Sequence, residues 1–450
     1  MGRKKQKAPE TATIESAAHD GRGISTVNGK KVFVAGALPG ETVQFMRRKT
    51  HRNYDEAELL KVEAASDDRI EARCAAFGRC GGCSWQHVDE TYQRAVKEQA
   101  LKDSLQRIAR AEPENWLEAM SGPAWSYRRR ARLAVKDVPA KGRVLVGFRE
   151  RHAPYITDMH RCEVLAEPLA GWMDSLSELI ASLSIRARLP QVELAVADNA
   201  NALVFRVLDA PSDHDRERLI DFGVANNCRI YLQTGGLDTV TMIQPSSGEP
   251  LYYTLPEFDV RMNFEPVDFV QVNGDINERM VRFAVEQLQA RPEHRVLDLF
   301  CGIGNFSLPL ARRSGAVVGI EGEKSLVARA ADNASSNALD NVEFRVADLS
   351  RIEGDESWLR ERWDRVLLDP ARSGAAEVVA LMKRLDPGRI VYVSCHPGTL
   401  ARDTGILVHE QGYVLESAGI IDMFPHTAHV ESIAVFRRKQ AADTRRDGCH

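Results

Sequence analysis

The feature that most constrains the fold is a series of apolar runs in the last third of the chain, each ending in a glycine loop or an acidic residue. Arg295–Phe300 is typical of a buried strand, and it runs directly into the loop Cys301–Asn305. Helix-forming residues follow the loop. Three further apolar runs lead to Glu321, Asp348 and Asp369. Strands that alternate with helices form a parallel sheet, so the pattern predicts an α/β Rossmann-like domain with a crevice at the carboxyl edge of its strands.

The residues of this crevice favour a nucleoside ligand. Glycines in the loop let a ligand approach the backbone closely, and the first turn of the following helix offers unpaired amides. Glu321 comes about twenty residues later, where a carboxylate can accept hydrogen bonds from ribose hydroxyls. The loop lacks the third glycine of a dinucleotide fingerprint and the lysine of a P-loop. The sequence therefore favours S-adenosylmethionine over NAD or ATP.

Cys395 follows another apolar run, Arg389–Ser394, and is therefore expected at the same sheet edge. A thiol beside a cofactor crevice indicates nucleophilic chemistry more than a structural role. Methylation of carbon 5 of uracil requires such a thiol, because carbon 5 is a poor nucleophile until a thiolate adds at carbon 6. The same reaction requires a base that removes the proton of carbon 5.

Several motifs of this chain closely resemble those of the RNA uracil-C5 methyltransferases, and they are Phe269–Asn273, Asp298–Asn305, Asp369–Arg372 and Ser394–Pro397. The resemblance covers almost the whole chain and points to the branch that methylates 23S ribosomal RNA. It implies methylation of carbon 5 of a specific uridine, with Cys395 as the nucleophile and Glu431 as the base. It assigns the following residues to the cofactor pocket: Gln271, Phe300, Asn305, Glu321, Asp348 and Asp369.

Two positions depart from the family pattern. His396 stands where the family usually has Asn, and Asp348 where it commonly has Asn. Neither change removes a catalytic group. We expect Asp348 to accept a hydrogen bond from an adenine amine, whereas His396 could alter the loop or the acidity of the neighbouring thiol.

The rest of the chain divides into segments of different pattern. Short β-like runs separated by Gly, Pro and Asn predict a small barrel near the N-terminus, and this stretch resembles a TRAM domain, an RNA-binding barrel. The pattern predicts a helix within the central domain, over about 90–111, and we expect this helix to pack on the catalytic domain. The expected segments are a basic tail (1–10), the TRAM-like barrel (11–68), a central α+β domain (69–265), the methyltransferase domain (266–440) and a tail (441–450).

Four cysteines form a candidate metal site. Cys74, Cys80 and Cys83 lie close in sequence, and Cys162 lies well downstream. Four thiolates suit zinc or a [4Fe-4S] cluster, and the three-plus-one spacing favours the cluster because zinc ribbons contribute two close pairs. The resemblance supports the same four ligands. We expect the cluster to be architectural and to orient Trp85, His87 and nearby loops toward RNA. The remaining cysteines are interpreted as bystanders: Cys228, Cys301 and Cys449.

The net charge of −4 is not typical of a nucleic-acid binder, so RNA contact must come from local patches. Three basic patches occur, at 3–7, 47–52 and 128–132. The candidate RNA-holding residues are Trp125, Tyr127, Arg128, Arg129 and Arg130. No apolar run reaches the roughly 18 residues of a membrane span, and none follows the basic N-terminus as in a signal peptide. We expect a cytoplasmic monomer that binds 23S ribosomal RNA and no membrane.

Other functions remain open from sequence. The chain could methylate a uridine of transfer RNA, although the TRAM-like and cysteine-rich segments argue against that branch, which is expected to lack them. It could methylate two ribosomal sites. From a different class, it could be a non-catalytic iron–sulfur protein that binds RNA or assists assembly, but such a protein would have no reason to keep both Cys395 and Glu431.

Overall fold

The computed structural model describes residues 8–18, 20–245 and 248–440. Most of the predicted basic tail, the tail at 441–450 and Cys449 lie outside these ranges. Within them, no helix is long and apolar enough to cross a membrane.

The N-terminal strands form a sheet that closes on itself. β1 pairs with β5 and β2 pairs with β3, and these partners lie at opposite ends of the strand order β1-β5-β6-β4-β3-β2. Because only two residues separate β1 from β2, the bent first strand joins both edges into a small barrel. Val32, Val34, Val43 and Phe45 fill its interior. The strands are β1 (Glu10–Thr13), β2 (Ser16–Ala17), β3 (Gly23–Val27), β4 (Lys30–Ala35), β5 (Thr42–Thr50) and β6 (Tyr54–Ala64).

The central region is built on a six-stranded sheet of order β13-β12-β11-β10-β8-β9. Helices α2 and α3 pack on this sheet over a core that includes Leu133, Leu194 and Phe205. The elements are α1 (Glu90–Ser104), β7 (Asn115–Trp116), β8 (Arg130–Val138), β9 (Arg143–Gly147), α2 (Met173–Ala181), β10 (Gln191–Val196), β11 (Asn201–Arg206), α3 (Asp213–Ala225), β12 (Cys228–Gln233), β13 (Val240–Gln244), β14 (Leu251–Leu255) and β15 (Val260–Phe264).

The last region is the predicted Rossmann-like domain. Its sheet has the order β18-β17-β16-β19-β20-β22-β21-β7, and β16 to β20 run parallel. β22 is antiparallel to both β20 and β21. Apolar clusters lie on the two faces of the sheet. The elements are α4 (Gly274–Leu288), β16 (Arg295–Leu299), α5 (Ser307–Ala311), β17 (Ala316–Glu321), α6 (Lys324–Ser336), β18 (Val342–Val346), β19 (Arg365–Leu368), α7 (Ala376–Val379), α8 (Met382–Leu385), β20 (Arg389–Ser394), α9 (Pro397–His409), β21 (Tyr413–Ile421) and β22 (Glu431–Arg438).

One segment of the central region is part of the methyltransferase fold. α1 begins at Asp89, whose carboxylate accepts hydrogen bonds from two amides of the first turn, and it continues as a π-helical turn over 105–109. Leu101 and Leu105 lie in the same apolar cluster as the sheet residues Leu297 and Ile390. β7 then adds a parallel strand to the sheet beside β21. The chain therefore ties the two regions together before the catalytic domain begins.

Trp85 fixes the barrel against this assembly. Its side chain is buried with Leu38 and Val88, and the guanidinium of Arg69 forms an ion pair with the buried Glu41 carboxylate. His87 is also buried and packs against a phenylalanine ring. The expectation that Trp85 and His87 face RNA is therefore wrong, because both rings fill the interior between the barrel and the cysteine-rich segment.

Gly21 provides a test of this docking. It has φ +81°, and a Cβ atom there would lie 1.6 Å from Nε1 of Trp85. We expect Gly21→Ala to displace the barrel and to lower stability by about 1–3 kcal/mol through overpacking, measured by thermal unfolding and by limited proteolysis after the barrel. Gly29→Ala is the matched control, since Gly29 has φ +75° but no atom within 4 Å of the added Cβ. Equal effects of the two substitutions would show that backbone strain, and not the contact with Trp85, is responsible.

Candidate active site

Cys395 and Glu431 lie together at the ends of adjacent strands. In the antiparallel pair β20–β22, Ser394 is opposite Ser432. Cys395 follows Ser394, and Glu431 precedes Ser432. In an antiparallel pair, the next residues after this pairing, Cys395 and Glu431, are therefore opposite each other. Glu431 is buried and Cys395 is half-buried. The structure thus brings together a thiol and a carboxyl group that are 36 positions apart in the chain.

Burial raises the pKa of both groups and of Asp369, and neighbouring negative charges add to the shift at Cys395 and Glu431. Burial, followed by the charges of Glu431 and Asp369, raises the pKa of the Cys395 thiol to about 11, while the charge of Arg372 opposes this shift. Burial and the nearby Asp369 raise the pKa of Glu431 well above its usual range. Burial also raises the pKa of Asp369 to about 7. A buried carboxyl group with a raised pKa is suited to proton transfer near neutral pH.

The thiol opens into a large cleft. The cleft has a volume of about 1150 Å³ and is lined by parts of the barrel, the cysteine-rich segment, α1 and the catalytic domain. Arg372 contributes positive charge near the Cys395 thiol, Arg151 contributes it beside the cysteine-rich segment, and Arg107 contributes it from the turn after α1. A cleft of this size, shared by four parts of the chain, can hold a polymer and not only a small molecule.

The glycine loop after β16 has the backbone geometry of a ligand-binding turn. Phe300 has φ +65°, which is strained for a side chain of this size, and Gly302 and Gly304 have φ +55° and +95°. A Cβ atom on Gly302 would meet no atom within 4 Å, so space is open above the loop. At the end of β17, Glu321 accepts a hydrogen bond from the Gly302 amide at 3.2 Å. Phe300, Glu321 and the start of the glycine loop therefore lie close together at the carboxyl ends of β16 and β17.

Asn305 and Gln271 are connected through two residues that the sequence did not single out. The Asn305 carboxamide exchanges hydrogen bonds with Asn277 at 2.9 and 3.1 Å, and its oxygen accepts one from the Tyr253 hydroxyl at 2.8 Å. Gln271 lines a small cavity with Tyr253 and Asn277. Tyr253 lies in the β14–β15 hairpin, before the predicted start of the catalytic domain. No motif marks it, because only the packing of that hairpin on α4 and α5 brings it near the loop.

The two departures from the family pattern have clear structural surroundings. Asp348 is exposed at the end of β18, and its carboxylate accepts hydrogen bonds from the amide and the hydroxyl of Ser350, which lower its pKa. His396 is the N-cap of α9, and its Nδ1 accepts a hydrogen bond from the Thr399 amide at 3.2 Å. An asparagine oxygen would fill the same role, so His396 preserves the cap that fixes the helix directly after Cys395.

Most residues of the predicted RNA-binding patches have structural partners. Tyr127 is buried and donates a hydrogen bond to the Pro425 carbonyl, and the Trp125 ring packs 3.9 Å from that of His426. Tyr127 is therefore an interior residue and is not available to hold RNA, whereas Trp125 is partly buried and its contact with RNA stays a prediction. In the patches at 47–52 and 128–132, five arginines form ion pairs with acidic residues. These are Arg47 (Glu10 and Asp55), Arg48 (Glu58), Arg129 (Asp198), Arg130 (Glu193) and Arg132 (Glu193). The patches are less positive than the sequence indicates.

The four predicted metal-ligating cysteines line one small cavity. Its walls include Cys74, Cys80, Cys83 and Cys162, and none of them is in a disulfide. Burial raises the pKa of Cys83 to about 11 and that of Cys162 to about 12. In the described part of the chain, no three metal-binding side chains are close enough to hold an ion as they stand.

The surroundings of these thiols suit a sulfur-ligated group. The Gly82 amide lies 3.4 Å from Sγ of Cys80, and the amides of Val164 and Leu165 are directed at Sγ of Cys162. Such N–H···S contacts stabilise thiolates that bind metal clusters. Cys228 and Cys301 are buried elsewhere, as expected of bystanders.

The negative charges of Glu431 and Asp369 near Cys395 predict how its thiol reacts. Because the thiolate is the reactive form, alkylation of Cys395 should rise about tenfold per pH unit up to its raised pKa. Where Glu431 is ionised, Glu431→Gln removes a negative charge that raises this pKa, so alkylation at alkaline pH should become severalfold faster. Mass spectrometry of the peptide that contains Cys395 measures the rate, and Glu410→Gln, on the exposed end of α9, is the control. An unchanged or slower rate in Glu431→Gln would contradict the geometry.

Comparisons with known proteins agree with this arrangement. A family model described as tRNA (Uracil-5-)-methyltransferase matches residues 251–439. The 23S rRNA (uracil(1939)-C(5))-methyltransferase RlmD of Methylococcus capsulatus is 51% identical over 96% of this chain and 97% of its own length. The protein of the same name from Azoarcus sp. is 49% identical over 95% and 99%.

The fold also matches that of a solved enzyme over nearly its full length. The crystal structure of the Pyrococcus abyssi tRNA (uracil-54, C5)-methyltransferase, in complex with S-adenosyl-L-homocysteine, aligns with a TM-score of 0.73 and 25% identity. It covers 95% of this chain and 100% of that one. With these relatives, and with a thiol and a buried carboxyl group at the carboxyl edge of a Rossmann-like sheet, the chain belongs to the RNA uracil-C5 methyltransferase family.

Proposed function

We propose that this protein methylates carbon 5 of one uridine in 23S ribosomal RNA, at the position equivalent to uridine 1939 in the names of its relatives. The observation that carries the proposal is the pair of Cys395 and Glu431, which lie at facing ends of adjacent strands, with Cys395 in the lining of the large cleft. Relatives named for this reaction are 44–51% identical over nearly the whole chain. A non-catalytic RNA-binding protein would gain nothing from such a pair.

The residues suit a covalent mechanism. The Cys395 thiolate adds to carbon 6 of the uracil, and the electron pair of the C5–C6 double bond moves into the ring as an enolate. Carbon 5 then forms a bond to the methyl group of the co-substrate S-adenosylmethionine, while the bond from that methyl group to the sulfonium sulfur breaks and its electron pair stays on sulfur. The Glu431 carboxylate removes the proton of carbon 5, and the electrons of that C–H bond restore the double bond and expel the thiolate. Both side chains serve the same carbon–carbon bond, which explains why they must be neighbours.

The residues around the glycine loop would hold S-adenosylmethionine, which supplies the methyl group as an electrophile. The open space above Gly302 admits a ligand close to the backbone, and Glu321 is at the position from which a carboxylate binds ribose. We assign Gln271, Asn305 and Asp369 to the remainder of the pocket, with Phe300 and Asp348 at its sides. Tyr253 and Asn277 would fix the orientation of Asn305 through their hydrogen bonds.

Ribosomal RNA is favoured over transfer RNA by sequence identity and not by architecture. We had expected tRNA enzymes to lack the N-terminal segments, but a tRNA enzyme aligns with 95% of this chain. The barrel and the central region therefore do not discriminate between the two substrates. The much higher identity to enzymes named for 23S RNA supports the ribosomal assignment.

The cleft is the proposed RNA-binding site. A target uridine must leave its base stack to reach Cys395, and the cleft is open to solvent between the TRAM-like barrel and the catalytic domain. Arg107, Arg151 and Arg372 line it and can contact phosphates. They replace most of the basic patch residues proposed from sequence. A cytoplasmic, monomeric enzyme is the simplest form of this proposal.

The cysteine cavity is proposed to hold a [4Fe-4S] cluster with Cys74, Cys80, Cys83 and Cys162 as ligands. Four thiols around one cavity, together with amides directed at their sulfur atoms, support this assignment. Gly81 and Gly82 of the same segment also line the RNA cleft. Since methyl transfer moves electrons in pairs, the role of the cluster would be to shape that wall of the cleft.

Substitution of the catalytic pair tests the reaction. With 23S RNA from a strain lacking the gene, Cys395→Ala should abolish methylation and leave RNA binding near normal, because only the covalent step needs sulfur. Glu431→Gln should permit methyl transfer but strand the RNA on Cys395, visible as a slow RNA–protein band on a denaturing gel. Mapping of the methylated nucleotide identifies the site. Residual turnover of Cys395→Ala within about tenfold of wild type, or methylation of transfer RNA alone, would contradict the proposal.

Metal content tests the cluster. Protein purified without oxygen should contain about four irons per chain and absorb visible light. Cys80→Ser should lose iron and lower RNA affinity or folding yield far more than affinity for S-adenosylmethionine, because the ligands lie outside the Rossmann-like domain. Cys228→Ala, which removes a buried thiol elsewhere, should retain the iron. Stoichiometric zinc without iron would overturn the assignment.

A further inference from the structure

The loop that precedes Glu431 is held mainly by segments from the N-terminal part of the chain, α1 and the cysteine-rich segment. This loop, residues 422–430, connects β21 to β22 and ends directly at Glu431. Its residues 427–430 line the cleft beside Cys395. His426 lies at its middle with φ +63°, a conformation that a non-glycine residue adopts only when its surroundings impose it.

Two buried polar residues of α1 bind this loop through hydrogen bonds and an ion pair. Gln93 and Lys97 are one helical turn apart and therefore on the same face, and each is 1% exposed. The Gln93 side-chain oxygen accepts a hydrogen bond from the His426 amide at 2.9 Å. The Lys97 ammonium forms an ion pair with the buried Asp422 at 2.7 Å and donates to the Phe424 carbonyl at 3.0 Å.

The segment that follows Cys83 also binds the loop. The amides of Ser84 and Trp85 both donate to the His426 carbonyl, at 2.9 and 3.0 Å. The Gln93 side-chain nitrogen donates in turn to the carbonyls of Trp85 and Val88, at 3.0 and 2.8 Å. Gln93 therefore joins the loop and the cysteine-rich segment in one buried network. Without the Gln93 carboxamide, the His426 amide and the carbonyls of Trp85 and Val88 would lose this partner.

We infer that Gln93 and Lys97 are positioning residues for Glu431: they fix the 422–430 loop and so hold the carboxylate where it can take the proton of carbon 5. The inference rests on the proposed function. It implies that the release of methylated RNA depends on α1, a helix that precedes the rest of the methyltransferase domain in the chain by more than 150 residues. The earlier steps depend on Cys395, which is fixed by β20 and the cap of α9, and should be nearly independent of these contacts with the loop.

A Gln93→Leu variant tests the inference. It fills a similar volume but cannot bond to His426, Trp85 or Val88, so the loop should lose its fixed position. We expect kcat to fall by about tenfold or more, with a nearly unchanged KM, and the RNA–protein adduct on ordinary uridine RNA to persist about tenfold longer. Gln106→Leu, the same change at an exposed position just after α1, should behave as wild type. Thermal unfolding verifies that each variant is folded, and Gln93→Glu, of nearly the same shape, replaces Gln93→Leu if it is not.

RNA with 5-fluorouridine at the target separates the early steps from proton removal. Fluorine cannot leave carbon 5 as a cation, so the adduct remains covalent whatever the base does. The Gln93 variant should form this adduct at the wild-type rate. A slower formation of the fluorinated adduct, or a clearance of the ordinary adduct as fast as in wild type, would overturn the inference. If wild-type protein forms no adduct with either RNA, the proposed function itself fails.

Discussion

Burial of carboxyl groups at one sheet edge is the constraint on which the site depends. Asp298 and Glu431 are buried, and Asp369 is close enough to raise the pKa of both. Taking a carboxylate out of water is costly, and a polar partner offsets only part of that cost, as the Ser307 hydroxyl does for Asp298 at 2.5 Å. Apolar packing on both faces of the sheet stabilises its strands and offsets the cost of burying these carboxyl groups. The result is an edge at which proton affinities are raised, as acid–base chemistry at neutral pH requires.

The sheet and the surroundings of its carboxyl edge are completed by parts of the chain that precede the catalytic domain. β7 adds the last strand, α1 packs beside it, and the β14–β15 hairpin brings Tyr253 to the glycine loop. The central region is thus not a separate module connected by a linker. Its segments cross to the catalytic domain more than once, and this crossing fixes the cleft between the barrel, the cysteine cavity and Cys395. A preformed cleft spares the cost of ordering loops when RNA binds.

Charge patterns were the least reliable guide to function. Arg47 and Arg130 looked like RNA contacts, but the first pairs with Glu10 and Asp55 and the second lies against Glu193. Glu10 lies 37 positions from Arg47, and Glu193 lies on a different strand from Arg130, so a short window of the chain does not reveal these two partners. Arg151 and Arg372, which do line the cleft, stand outside the densest basic runs. Aromatic residues misled in the same way: Trp85 and Tyr127 are buried because their rings fill gaps between domains.

The sequence by itself determined the Rossmann-like domain, because buried parallel strands are continuous apolar runs and their ends carry the glycine loop and the acids. It also determined that Cys395 lies at that edge, because Cys395 directly follows an apolar run. The resemblance to a known family identified Glu431 as the candidate base. Only the tertiary structure decided that Glu431 faces Cys395, because this depends on the register of β20 with β22. It alone decided the roles of Tyr253, Gln93 and Lys97, since a buried polar residue is recognisable only from partners that lie far away in the chain.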